Sequence, residues 1–184
     1  MNKTIWIVLG VLAVIIIWGG ATYNSLVTQN EGVTTQWAQV ETVYQRRFDL
    51  IPNLVESVKG AMTQEKTVFT ALADARTRYS GAQNANEKAA AASQVEGALS
   101  RLLVVVENYP QLQSIAVVQG LMAELAGSEN RVSVERGRYN ETVRGYNVKV
   151  KRFPGSIVAG LFGFGERAYF EADAAAATAP QVKF

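Results

Sequence analysis

The sequence predicts an all-α protein, with an N-terminal transmembrane helix followed by an antiparallel up-down bundle of long helices. Three observations carry this. An uncharged apolar run fills residues 4 to 23. Beyond it, apolar residues recur at three- and four-residue spacing, the period of one helix face. The 184 residues contain only four prolines, at 52, 110, 154 and 180, while the helix formers Ala, Glu, Gln, Leu, Arg and Lys dominate. Four helices are expected after the anchor, three if Pro52 only kinks one of them. The expected divisions are 4–23 for the membrane helix, 24–152 for the bundle, and 153–184 for an apolar Phe/Gly segment with its tail.

The membrane segment reads TIWIVLGVLAVIIIWGGATY, and no charge follows until Glu31. Twenty helical residues span about 30 Å, the thickness of a bilayer's hydrocarbon core. Ile5 and Trp6 at one end, and Trp18 and Tyr23 at the other, are the expected anchors, because amphipathic rings favour the interface. Gly19-Gly20-Ala21 loosely resembles a signal-peptidase site, but the apolar core is long and the positive region before it is slight. No cysteine follows it, which excludes a lipoprotein. A single-pass, uncleaved anchor is the expectation. Lys3 and the amine precede the helix, and the first basic residues after it are Arg46 and Arg47. The positive-inside rule leans toward a bundle outside the cytoplasm.

The first bundle helix follows from Val33, Trp37, Val40, Tyr44, Phe48 and Ile51. Pro52 lacks a backbone donor and disfavours helix at Ile51, so a break is expected there. Asn53 and Glu56 have the spacing of a capping box, so a second helix is expected from Asn53, with Leu54, Val58, Met62, Phe69 and Leu72 along its stripe. Residues 80–86 read as a loop. A third helix runs from Glu87 to about Asn108, and Pro110 ends it. The fourth runs from about Leu112 to Arg152. Helices of similar length joined by short loops pack up-down, in the manner of a coiled coil. With a break at Pro52, helix parity returns the end of the fourth helix to the membrane.

Charge is uneven. Between Arg131 and Arg152 seven Lys or Arg face two Glu, and the uncharged run Phe153–Phe164 follows. That run is too short to span a bilayer. A basic stretch beside an apolar one suits the surface of an anionic membrane. Arg144, Lys149, Lys151, Arg152, Phe153, Leu161, Phe162 and Phe164 are therefore candidates for lipid or partner contact. The competing reading folds 153–164 back to cap the bundle core, and both stay open here. Nucleic acid is not an expected partner, because no independent binding motif accompanies the basic stretch.

The chain has no Cys and no His. This removes thiolate nucleophiles, imidazole bases and the ligands that most transition metals prefer. No phosphate loop, GxSxG or HExxH occurs, so no catalytic residue, cofactor or metal is expected. Asn140 and Asn147 each follow a tyrosine at seven-residue spacing, which puts both pairs on one helix face. With Arg47, Asp49 and Asn53 they read as a structural polar network, their amides bonding to a neighbouring helix.

Several blocks resemble the LemA family: Tyr23-Asn24-Ser25-Leu26-Val27, Gln36-Trp37-Ala38, and most specifically Arg47-Phe48-Asp49-Leu50-Ile51-Pro52-Asn53-Leu54-Val55. Glu107-Asn108-Tyr109-Pro110-Gln111-Leu112, the two Tyr-Asn pairs, Phe153-Pro154 and the closing Pro180-Gln181-Val182-Lys183-Phe184 agree. After Leu112 the chain departs from the family's usual polar, Phe-containing block. The resemblance implies a bacterial inner-membrane protein with one N-terminal helix and an antiparallel bundle, and no established enzymatic activity. The expected role is a non-enzymatic scaffold or self-assembling interaction module, with membrane lipids, other membrane proteins and further copies of itself as partners. The alternative is an accessory or adaptor for a membrane protease or signalling system.

Overall fold

A computed structural model describes residues 3–60, 62 and 65–170. It is 87% helical, with no strands among the described residues. The elements are α1 (Lys3–Lys59), α2 (Lys66–Gly81), α3 (Ala85–Glu107), α4 (Pro110–Gln113), α5 (Ala116–Lys151) and α6 (Gly155–Phe162). The closing block 180–184 lies outside the described residues.

The expected break at Pro52 does not occur, and α1 continues through it to Lys59. A proline inside a helix costs about 3 kcal/mol. Here the Pro52 ring is exposed, and the carbonyl that loses its donor is that of Phe48, four residues earlier. Phe48, Ile51, Leu54 and Val58 are buried in one stripe that continues across Pro52. Each such side chain stabilises by about 1.5–3 kcal/mol, so the packed stripe outweighs the proline. The Asn53 side chain caps nothing, and the Asn53 carbonyl accepts from the Ser57 hydroxyl in an uninterrupted helix.

The turn instead falls between Lys59 and Lys66, around the fully buried Met62. The next helix boundary is marked by the same Asn-x-x-Glu pattern, this time realised. Asn84 Oδ1 accepts from the Glu87 amide at 2.9 Å, and Glu87 Oε2 accepts from the Gln83 amide at 2.8 Å. Pro110 sits at the first position of α4, where its missing donor would be unpaired anyway.

The chain divides into two compact units. The second comprises Ala38–Gly137 with Phe170. Its side-chain pairings set the helix directions. Glu41 meets Lys88 and Tyr44 meets Glu96, both numbers rising together, so α1 and α3 run parallel. Arg78 of α2 meets Gln94 of α3 across the short 82–84 loop, an antiparallel hairpin. Arg46 meets Glu124 and Arg136 meets Tyr44, which also sets α5 antiparallel to α1. Val40, Ile51, Leu54, Leu72, Val95, Leu99, Leu102, Val118, Leu125 and Val132 fill the core between these helices.

The first unit comprises residues up to Trp37 with Arg138–Tyr169. Trp37 packs edge-on against Tyr139 at 5.3 Å, and Ser25 meets Lys149, so α1 and α5 are antiparallel here as well. Leu26, Val33, Val143 and Tyr146 are buried between them, with Val158 and Ala159 of α6. The end of α5 thus lies beside the start of the first unit's packed region, with Lys149 against Ser25.

Candidate membrane-facing site

Along α1, the apolar side chains from Ile5 to Ile17 are between 47% and 72% exposed. Such a helix is unsatisfied in water, since each large side chain forgoes about 1.5–3 kcal/mol of burial. This stretch is long and apolar enough to cross a bilayer, with a mean hydropathy of 2.4. The α3 helix also meets the length criterion, but one of its faces is buried in the core of the second unit.

At the end of the apolar stretch the expected anchor rings acquire partners. The Trp18 ring lies 6.2 Å from Phe153. Tyr23 packs 4.8 Å from Phe162 and 5.7 Å from Phe164. These contacts bring α6 to the point where α1 leaves its apolar run. The α6 sequence, GSIVAGLF, carries no charge. Its inward side is Gly155, Val158 and Ala159. Phe153, Ile157 and Leu161, spaced by four, are exposed, Phe153 and Leu161 at 76%.

Two glycines make this placement. A Cβ at Gly155 would collide with the Lys149 carbonyl, so only glycine admits the close approach of α6 to the end of α5. Gly163 closes α6 in the left-handed conformation, with φ at 74°.

The basic candidates surround this end. Lys149 Nζ donates to Ser25 Oγ. Lys151 forms a 2.7 Å ion pair with Glu166, with both side chains exposed. Arg144 and Arg152 are exposed.

Past Gly163 the chain runs back along α5 as an extended strap. Tyr146 donates to the Gly165 carbonyl at 3.0 Å, and Tyr139 to the Ala168 carbonyl at 3.2 Å. Asn147, 4% exposed, donates to the Arg167 carbonyl and accepts from the Arg167 amide, both at 2.8 Å. The Arg167 guanidinium then reaches Asn30 on α1 with two bonds of 3.1 and 2.9 Å. The Tyr-Asn spacing therefore holds a strap, where the sequence reading expected a neighbouring helix. Burial raises the Tyr139 and Tyr146 pKa values, and the nearby Arg167 charge opposes that rise. Asn140 is half-buried.

In the second unit, Arg47 belongs to an ionic cluster that pattern reading did not assemble. Glu96 Oε2 accepts from Arg136 at 2.9 Å, while its Oε1 accepts from the Tyr44 hydroxyl at 3.2 Å. Arg136 also donates to the Tyr44 oxygen, and its guanidinium lies 4.3 Å from the centre of the Phe170 ring. Arg47, 3% exposed, stands 3.8 Å from Glu96 and 3.7 Å from Glu129. Burial and the Glu96 charge push the Tyr44 pKa well above the ordinary tyrosine value. Burial pushes Tyr79 up to about 12, with Glu41 adding to the rise. Asp49 and Asn53 are exposed and outside this cluster, and Asp49 accepts from Gln45 at 2.9 Å. Each charge lies within 3.8 Å of an opposite one, but Arg47 Nε and Nη1 and Arg136 Nε are buried without a hydrogen-bond partner, so the cluster is only partly satisfied.

The LemA family profile matches residues 36–184, most of the chain. The protein belongs to the LemA family. Curated relatives include Magnetosome protein MamQ 2 and Magnetosome protein MamQ 1 of Paramagnetospirillum magneticum. Each is 27% identical to this LemA-family chain over 81% of it. Magnetosome protein MamQ of Magnetospirillum gryphiswaldense is 26% identical over 80%. The chain spans 64% of the length of these relatives. The family match begins at Gln36, so the apolar stretch of α1 lies outside it.

Proposed function

We propose that this LemA-family chain is a non-enzymatic, single-pass protein of a bacterial membrane. Its helical body serves as a scaffold for other copies and for membrane proteins. One observation carries the reading: Tyr23 is packed on Phe162 and Phe164, so an uncharged helix with outward apolar side chains lies beside the exit of the apolar stretch. A tether alone would leave the body free to swivel. A second contact, α6 lying in the interface with Ile157 and Leu161 toward acyl chains, fixes which helix faces point away from the lipid. The flanking Arg144, Lys151 and Arg152 suit anionic headgroups, at about 1 kcal/mol for each basic residue near the surface. The family match and the relatives named as magnetosome proteins are consistent with this reading.

The test is the mass of the full chain in a mild detergent, together with crosslinking in intact cells. Discrete oligomers, or defined complexes with membrane proteins, are expected. A strictly monomeric chain that crosslinks to nothing contradicts the scaffold reading.

A further inference from the structure

Within the first unit a groove of about 600 Å³ runs along the seam of α1 and the end of α5. Its walls change character along its length. At the end nearest the apolar stretch they are Trp18, Ala21, Phe153 and Pro154. Further from it they are Ser25, Lys149 and Gln29 with Leu26 and Val148 beside them, and Arg152 lies between the two zones. No acidic side chain lines the groove. Lys149 spends one donor on Ser25 and keeps two more, since an ammonium has three. Arg152 has no anionic partner among the described residues. The Gln29 Oε1 is buried in the seam without a hydrogen-bond partner. Gly145 leaves the groove open, with nothing within 4 Å of where its Cβ would stand.

We infer that this groove holds one anionic phospholipid of the bilayer that α1 crosses. Its acyl chains lie along Trp18, Ala21 and Phe153, and its phosphate is bound by Lys149 and Arg152. From the Trp18–Phe153 end the charged and amide groups come in the order Arg152, Lys149, Gln29, which suits a phosphate followed by a headgroup beyond the acyl chains. A headgroup hydroxyl, as in phosphatidylglycerol, supplies the donor that Gln29 Oε1 lacks. Charge-assisted bonds from an ammonium and a guanidinium to phosphate are the strong kind. The inference rests on the membrane reading of α1 and sharpens it, naming a lipid that would lock α1 to α5 at the membrane face.

The experiment uses the full chain in mild detergent with phosphatidylglycerol as the probe and native mass spectrometry as the readout. The wild type retains one phosphatidylglycerol per chain in preference to phosphatidylcholine. Two variants test the two halves of the site. Lys149→Gln with Arg152→Gln removes the charge, and Gly145→Leu fills the groove from a position with free space. Each weakens retention by about tenfold or more, the worth of one strong polar contact. All variants stay in the pellet after alkaline carbonate washing, so lost retention reports the groove and not the anchor. Equal retention by wild type and both variants overturns the site, leaving only lipid around the apolar stretch. Displacement of the lipid by inorganic phosphate overturns the lipid assignment and leaves a simple anion site.

Discussion

Glu96→Gln isolates the charge that the buried cluster depends on. Glu96 is the one carboxylate that meets both Arg136, at 2.9 Å, and Arg47, at 3.8 Å. The amide keeps the shape and one acceptor, but leaves two guanidinium groups facing each other. Arg47 retains only Glu129, at 3.7 Å and largely exposed. Removing one partner of a buried ion pair costs about 3–5 kcal/mol. The side chains of Glu96 and Arg136 are 21% and 23% exposed, so the low end, about 3 kcal/mol, applies. For a chain of this length that lowers Tm by roughly 6–12 °C. The assay is thermal unfolding followed by circular dichroism at the helix band, with the full chain in detergent. Replacing Glu96 by Leu together with Arg47 and Arg136 by Met costs less than Glu96→Gln alone, because both stranded cations are removed with their partner. A Glu96→Gln loss under about 1 kcal/mol would refute the reasoning, since a solvated pair behaves that way.

Four further outcomes follow from the same geometry. Pro52→Ala restores a donor inside a continuous helix and raises stability by about 1–3 kcal/mol, read as a higher Tm; a lower Tm would mean that α1 breaks at Pro52. Gly155→Ala puts a methyl against the Lys149 carbonyl and displaces α6, so proteolysis near residues 153–164 speeds up while the helical signal of the second unit stays. Asn147→Ala leaves the Arg167 amide and carbonyl unpaired, costing about 1–3 kcal/mol for each buried group and exposing the strap to hydrogen exchange. In alkali, Tyr79 keeps its proton in the fold up to about pH 12 but loses it near 10.0 when unfolded. The fold binds more protons between those values, so stability holds below pH 10 and falls above it. Tyr79→Phe flattens that decline.

Much of the fold was legible because helix periodicity is a local property. The apolar run of α1, the helix expected from Glu87 to about Asn108 and the long α5 all follow from local pattern alone. The Pro52 boundary was misread because proline and an Asn-x-x-Glu pattern are equally local signals, and tertiary burial outweighed both. A signal that could have corrected it was present: Phe48, Ile51, Leu54 and Val58 keep the same phase across Pro52, whereas a true break resets it. The ionic cluster was opaque because Glu96, Arg136 and Tyr44 sit on three helices, and nothing in sequence spacing joins them. The Tyr-Asn repeat announced a polar face, but its partner is an extended strap with no periodicity to read. The open choice over 153–164 turned on which side of α6 faces inward, and uncharged residues carry no pattern that decides it. Contacts of Gly155 and Tyr23 set which side of α6 packs inward.

Two-point attachment requires the outward side of α6 to lie in lipid. The chain has no cysteine, so Leu161→Cys offers a single attachment point for an environment-sensitive fluorophore, with exposed Glu56→Cys in the second unit as the reference. With the full chain in vesicles, lipids brominated along their acyl chains should quench the label at 161 strongly and leave the label at 56 unaffected. Equal, weak quenching at both positions would contradict the two-point attachment to the membrane.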